Sequence, residues 1–80
     1  MISQTDNVKI KAGYKQTLKA IHLNIANKVF LASDCDDKIS DSVINAATLK
    51  NIEIVKISTM KELGKLCGID RDASCAVQLN

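Results

Sequence analysis

The sequence of 80 residues contains no tryptophan, no proline and a single histidine, His22. With one Phe and one Tyr, its core has to be aliphatic, and a hydrophobic content of 46% is sufficient to build one. One histidine leaves little scope for catalysis, because histidine is the commonest general base. Neither a G-x-S-x-G elbow nor a glycine-rich phosphate loop occurs. The sequence therefore predicts a protein without enzymatic activity.

Cysteine is scarce and dispersed. Cys35, Cys67 and Cys75 form no C-x-x-C pair, and each stands among small or apolar residues. A zinc site would need closely spaced ligand pairs, which these positions do not supply. We therefore expect reduced, packed thiols, as in cytosolic proteins, and neither a metal nor a cofactor.

Long apolar runs and long charged runs are both missing. No stretch reaches the length that spans a membrane, and residues 1–10 lack the apolar segment of a signal peptide. A net charge of +2 is compatible with an anionic partner but does not identify one. We expect a cytoplasmic protein without membrane contact. The length predicts a single domain over residues 1–80, and the small size and polar helix faces favour a monomer.

Four stretches predict β-strands, at residues 7–12, 28–33, 52–57 and 73–79. Helical periodicity predicts helices between them, at residues 14–23, 37–50 and 60–67, with a further turn of helix near residues 3–7. The strand at 28–33 is almost continuously apolar, which is typical of a central strand covered on both faces. The alternation of strands and helices predicts an α/β sandwich with helices on both faces of the sheet.

Each predicted helix ends with the same two-residue signal. Asn24, Asn51 and Gly68 are all followed by Ile. Asn and Gly tolerate the left-handed conformation that ends many helices, and the next apolar residue can fold back onto the last turn. Within the third helix, Gly64 is predicted to permit close packing.

An acidic cluster at residues 33–41 contains Asp34, Asp36, Asp37 and Asp41. It does not match an EF-hand loop, because it lacks the central glycine and the closing glutamate. The simpler interpretation, which we favour, is a turn from strand to helix whose acids stabilise the next helix N-terminus.

The stretch AGYKQTLKAIH, residues 12–22, places Lys15 and Lys19 at the beginning of a helix without an acid. Cations there are mildly unfavourable, because a helix N-terminus already carries partial positive charge. A solvated lysine face is one explanation. The other is a site for RNA, in which Gly13 allows close approach, the free N–H groups and lysines bind phosphate, and Gln16 contacts base edges. With one aromatic residue nearby, a mode that stacks several bases is disfavoured.

Three segments carry a family resemblance. The first, residues 13–19 (GYKQTLK), resembles the signature G-x-[NK]-[EQ]-x-x-K. The second, residues 28–36 (KVFLASDCD), resembles a strand with an A-x-D-x-D turn. The third, residues 63–77 (LGKLCGIDRDASCAV), is similar to an L-G-x-x-x-G-I segment leading into an alanine-rich last strand. In this order they characterise the ribosomal L-seven-Ae / L-thirty-e family of kink-turn RNA-binding proteins. The resemblance spans about residues 10–79, and the Lys-Gln pair looks most like the short bacterial YbxF-type members.

The resemblance implies a three-layer α/β/α sandwich with a four-stranded mixed sheet. It also implies binding to the tandem sheared G·A pairs of a kink-turn, in ribosomal RNA or in a structured mRNA leader. The RNA-binding residues would be Gly13, Tyr14, Lys15, Gln16, Lys19, Ile69, Asp70 and Arg71. Of these, Lys15 and Gln16 would face the G·A edges, and Lys19 would contact a base or a phosphate. The loop at residues 69–72 would lie against the bulged nucleotides of the kink.

Two features depart from the usual pattern of that family. Lys15 and Gln16 stand where archaeal and eukaryotic members usually carry Asn and Glu, so the lysine offers a donor only. The loop reads IDRD, where members often have an apolar or proline-containing tip. Its two aspartates would repel phosphate, and Arg71 between them would offset this. Ile69 also has a structural explanation, as the apolar residue after a helix end.

A second function is compatible with the same fold. The lysine face of the first helix could contact an acidic protein, which would make the chain a module for protein–protein interaction. Fold alone does not decide between these functions.

Overall fold

The computed structural model describes residues 9–79 of the chain, and side chains from residue 10 onward. Its elements in chain order are β1 (Lys9–Ala12), α1 (Tyr14–His22), β2 (Ala26–Ala32), α2 (Asp37–Leu49), β3 (Glu53–Ile57), α3 (Met60–Cys67) and β4 (Cys75–Leu79). All the strands and helices predicted within this range are present, with similar bounds. The helical turn predicted near residues 3–7 lies outside the described residues. Between residues 9 and 79, no helix combines the length and apolar character that crossing a membrane requires.

The four strands form one mixed sheet in the order β1-β4-β2-β3. β2 and β3 are parallel, whereas β4 is antiparallel to both of its neighbours. The ends of β1, β2 and β3 therefore meet the beginning of β4 at one edge, which we call the C-terminal edge of the sheet. Each of the three helices follows one of these strand ends, so all three begin at this edge.

Two central strands organise the core. In β2, Val29, Phe30, Leu31 and Ala32 are buried in succession, which requires cover on both faces of the sheet. α1 and α2 pack against each other, and α3 packs against the sheet. The predicted three-layer α/β/α sandwich with a four-stranded mixed sheet is confirmed.

The three helix ends are Schellman motifs, as their sequences predicted. Asn24, Asn51 and Gly68 have φ values of 60°, 56° and 76°. At the end of α2, the Asn51 amide donates to the Thr48 carbonyl at 3.1 Å, and the Ile52 amide donates to the Ala47 carbonyl at 2.9 Å. The same pair of bonds closes α1 and α3. Because each stop depends only on adjacent residues, it could be predicted from local sequence.

The acidic turn stabilises two helix starts. The Asp36 side chain accepts a hydrogen bond from the Lys38 amide at 2.8 Å and so caps α2. The Asp34 side chain accepts from the Met60 amide, also at 2.8 Å, and so reaches the first turn of α3. These bonds confirm the structural interpretation of the cluster and extend it to a second helix.

All three cysteines are free thiols, as predicted. Cys35 and Cys75 are buried, and Cys67 is half-buried. Burial raises the pKa of each thiol above its ordinary value. The thiols therefore remain protonated at neutral pH and act as small packing groups.

The helix stop at residue 51 provides a test of the fold. Asn51→Ala should lower the free energy of unfolding by about 1 kcal/mol, because alanine tolerates the left-handed conformation less well than asparagine. The free energy of unfolding of Asn51→Gly should equal or exceed that of the wild type. Chemical denaturation with urea measures both. Asn45→Ala, at an exposed position inside α2, is the matched control and should be neutral or slightly stabilising. Equal stabilities for the two variants of Asn51 would contradict the assigned backbone role.

Candidate nucleic-acid interface

Gly13 makes the connection from β1 to α1 on its own. Its backbone has φ 116° and ψ 151°, a region essentially restricted to glycine. A Cβ added at this position would meet no atom within 4 Å. Glycine is therefore required by the backbone conformation, and the space beside it is open to an incoming partner. The Gly13 amide donates to the carbonyl of Cys75 at 2.9 Å, which joins the turn to the first residue of β4.

Thr17 stabilises this turn from within the core. It is fully buried, and its hydroxyl Oγ1 donates a hydrogen bond to the Gly13 carbonyl at 2.8 Å. The Thr17 backbone amide donates to the same carbonyl at 3.0 Å. Burial raises the pKa of the Cys75 thiol, and the neighbouring Thr17 and Ser74 side chains partly offset this rise. Sequence analysis did not single out Thr17. The available signal was a hydroxyl residue four positions after an essential glycine, where it can bond back to the carbonyl.

The three helix starts at the C-terminal edge differ in charge and capping. α2 begins with Asp36 as its cap and a second aspartate, and α3 begins with Thr59 as its cap and Glu62 in its first turn. α1 begins with Gly13, which has no side chain to cap it, and its first turn contains no acid. Within the described residues, α1 is thus the helix whose first N–H groups are left without a side-chain acceptor. Such groups favour an anionic ligand.

The polar residues predicted on α1 are exposed at this start. Lys15, Gln16 and Lys19 all lie on the surface. Tyr14 is only half-exposed, because it packs against the hydrophobic core. It therefore serves the packing of α1 at least as much as any contact with a ligand.

The structure brings Gly13 next to the loop that precedes β4. A groove of about 130 Å³ is lined by Ala12, Gly13, Ile69, Arg71, Asp72, Ala73 and Ser74. Two segments that are distant in sequence, the glycine turn and the loop at 69–72, therefore share one surface. The cause is the antiparallel pairing of β1 with β4, which places Ala12 opposite Ala76.

The lysine side of α1 forms a separate surface. Gln16 and Lys19 do not line the groove at Gly13; they border a second depression, together with Lys11 and apolar residues near the end of α1. Lys11 is exposed in β1 and was not among the predicted site residues. The alternating pattern of β1 was the available signal, since it places Lys11 on the polar side of the strand.

The loop at 69–72 is held firmly against α3. The Ile69 amide donates to the Gly64 carbonyl and the Ala73 amide donates to the Met60 carbonyl, both at 3.1 Å. A Cβ on Gly64 would overlap the carbonyl oxygen of Arg71. The close packing predicted for Gly64 is thus confirmed, and its partner is the backbone of the loop. Ile69 is half-buried and packs against the core, in agreement with its structural explanation.

The exposed tip of the loop carries alternating charges. Asp70, Arg71 and Asp72 are all on the surface. Ile69 and Arg71 reach the groove at Gly13, whereas Asp70 lines the neighbouring groove beside α3.

The pattern of the family described as "Ribosomal protein L7Ae/L30e/S12e/Gadd45 family" matches residues 3–80. The chain belongs to this family. Its resemblance to the family's motifs is therefore confirmed, together with the fold that the family implies.

Two relatives and one solved structure illustrate the similarity. An RNA-binding protein of Caldanaerobacter subterraneus subsp. tengcongensis is 42% identical over 67 residues, covering 84% of this chain and 82% of the relative. The RNA-binding protein YbxF of Geobacillus stearothermophilus is 38% identical over 71 residues, covering 89% of this chain and 87% of that one. The structure of the Giardia lamblia 15.5kD RNA binding protein superposes with a TM-score of 0.82 at 26% identity, and the match covers 89% of this chain and 60% of that chain.

The contact between Gly64 and the loop can be tested by substitution. In an ordinary helix, Gly→Ala stabilises by about 0.5–1 kcal/mol. Gly64→Ala should instead lower the free energy of unfolding by roughly 1–3 kcal/mol, because the new methyl group displaces the Arg71 carbonyl. Lys65→Ala, at the exposed neighbouring position, is the control and should stay within about 0.5 kcal/mol of wild type. Thermal or urea denaturation of Gly64→Ala that showed increased stability would disprove the contact.

Proposed function

We propose that this chain binds RNA at the C-terminal edge of its sheet and that its target is a kink-turn. The observation that carries the proposal is the start of α1, where N–H groups without a cap or an acid lie beside exposed Lys15 and Gln16. The names of its relatives, which describe RNA-binding proteins, support the same function.

Each residue at the start of α1 contributes a distinct interaction. Gly13 presents backbone without a Cβ, so a base edge or a sugar can approach closely. The Gln16 amide both donates and accepts hydrogen bonds, which suits the mixed donors and acceptors on the edges of G·A pairs. Lys15 donates to guanine acceptors. Lys19, one turn later on α1, binds a phosphate or a base.

The loop at 69–72 forms the second part of the proposed interface. Ile69 offers an apolar surface to an unstacked base at the kink, and Arg71 offers a planar cation to a phosphate or a base. Asp70 and Asp72 reduce the attraction for phosphate, so the loop contributes shape more than net charge. The proposed function is binding by a cytoplasmic monomer, without catalysis and without a cofactor.

Titration with matched RNAs tests the specificity. Wild-type protein should bind a kink-turn RNA at least tenfold more tightly than an RNA of equal length whose G·A pairs are replaced by Watson–Crick pairs, given roughly 1–3 kcal/mol for each altered pair. Both affinities must be measured at the same salt concentration, because phosphate contacts depend on salt. Equal affinity for the two RNAs would exclude specific recognition of the kink.

The contribution of Lys19 can be measured separately. Lys19→Ala should weaken binding and, if the lysine meets a phosphate, reduce the slope of log K against log salt by about one. Lys50→Ala is the matched control, because Lys50 is exposed but follows α2 at the opposite edge of the sheet. An unchanged affinity and slope for Lys19→Ala would remove Lys19 from the interface.

One observation favours the alternative of a protein partner. Leu23 and Ile25 are 57% and 42% exposed, and they share a depression with Lys11, Lys19 and Leu79. Apolar side chains flanked by lysines would suit an acidic segment that carries apolar residues. The ultraviolet absorbance ratio of the purified protein separates the two functions. With one Tyr and no Trp, the chain absorbs little itself, so co-purified RNA would raise the ratio clearly.

A further inference from the structure

A groove beside α3 contains two lysines that are not part of the proposed site. It encloses about 230 Å³ and is lined by Lys61, Lys65, Ile69, Asp70, Arg71 and Asp72. Lys61 and Lys65 are exposed and stand one helical turn apart, so their side chains lie on the same face of α3. Neither side chain is part of the core, and neither caps a helix.

This groove adjoins the groove at Gly13. Both are bordered by Ile69, Arg71 and Asp72. The tip of the loop is therefore a ridge with a depression on each side, and Arg71 faces both. Lys61 and Lys65 therefore lie across this ridge from Gly13.

The charges in the groove suit a phosphate backbone better than a small anion. Three cations, Lys61, Lys65 and Arg71, line it together with two carboxylates. A small anion would be repelled by the nearby Asp70 and Asp72. An extended backbone can contact the lysines along the exposed face of α3 while passing beside the aspartates, since successive phosphates are spaced like residues one helical turn apart.

We propose that Lys61 and Lys65 bind the phosphate backbone of an RNA stem next to the kink. The RNA surface would then extend from α1 across the loop onto α3. This inference rests on the proposed function and adds a contact to the helical stem, which carries no sequence information but fixes the orientation of the RNA. The aspartates at 70 and 72 would limit binding to RNAs that the start of α1 has already selected.

The test compares three RNAs: a kink-turn with two long stems, and two derivatives with one stem or the other shortened to its minimum. The double variant Lys61→Ala/Lys65→Ala changes two exposed side chains and should fold normally, which circular dichroism can check. It should bind the long RNA at least about tenfold more weakly than the wild type at low salt. The slope of log K against log salt should fall by about two. On one of the shortened RNAs, the double variant should bind as the wild type does. Lys50→Ala is the control and should not differ from wild type on any RNA.

A variant with the opposite sign strengthens the test. Asp70→Asn keeps the shape of the side chain and removes a negative charge beside the lysines. It should tighten binding to the long RNA, and this gain should be smaller in the Lys61→Ala/Lys65→Ala background, where only Arg71 remains near residue 70 in the groove. A gain of equal size in both backgrounds would show that Asp70 acts without the lysines and would overturn the inference.

The outcomes separate this inference from the proposed function. The stem contact is overturned if the double variant binds the long RNA as tightly as the wild type does. It is also overturned if the variant loses the same affinity for all three RNAs. In both cases, kink-turn binding stands. If wild-type protein fails to prefer the kink-turn over the RNA with replaced G·A pairs, the proposed function fails first. A loss confined to RNAs that keep one particular stem supports the inference and identifies that stem.

Discussion

At the C-terminal edge of the sheet, the amide of Gly13 donates a hydrogen bond to the carbonyl of Cys75. This bond closes the pairing of β1 with β4 at the point where one strand ends and the other begins. Since β4 runs opposite to its neighbours, the loop that precedes it arrives at the edge where all three helices start. The glycine turn and the loop at 69–72 are adjacent for this reason alone. With β4 in a parallel arrangement, they would lie at opposite ends of the sheet.

The same edge shows how the chain distributes charge between stability and binding. Asp34 and Asp36 reach the first turns of α3 and α2, where negative charge and hydrogen-bond acceptors are favourable. The start of α1 has lysines instead, which are unfavourable there until an anion is bound. Thr17 compensates in part, because its buried hydroxyl fixes the Gly13 carbonyl from within the core. Acids near α1 would raise the stability of the helix and weaken the proposed attraction for phosphate.

Much of the fold could be predicted because its signals are local. The helix stops at Asn24, Asn51 and Gly68 depend on neighbouring residues, and the apolar run of β2 reflects its central place in the sheet. The candidate residues from Gly13 to Lys19 could be named from the sequence because they lie within two turns of one helix, and their part in binding stays a prediction. Contacts that join distant segments were beyond such reasoning. The bond from Gly13 to Cys75 and the groove that Gly13 shares with the loop at 69–72 arise only once β4 is placed. Gly64 lies between these cases: its need for space was predictable, and its partner at Arg71 was not.

The close contact of Gly64 with the loop bears on the thermodynamics of recognition. Two backbone hydrogen bonds and this contact hold residues 69–73 in one conformation against α3. A surface that is already ordered loses little conformational entropy when a ligand binds. For the proposed kink-turn RNA, the cost of ordering would then fall mainly on the RNA, which would have to bend sharply to fit. Association would be governed by how often that partner samples the bent shape, and the protein would act as a rigid template that selects it.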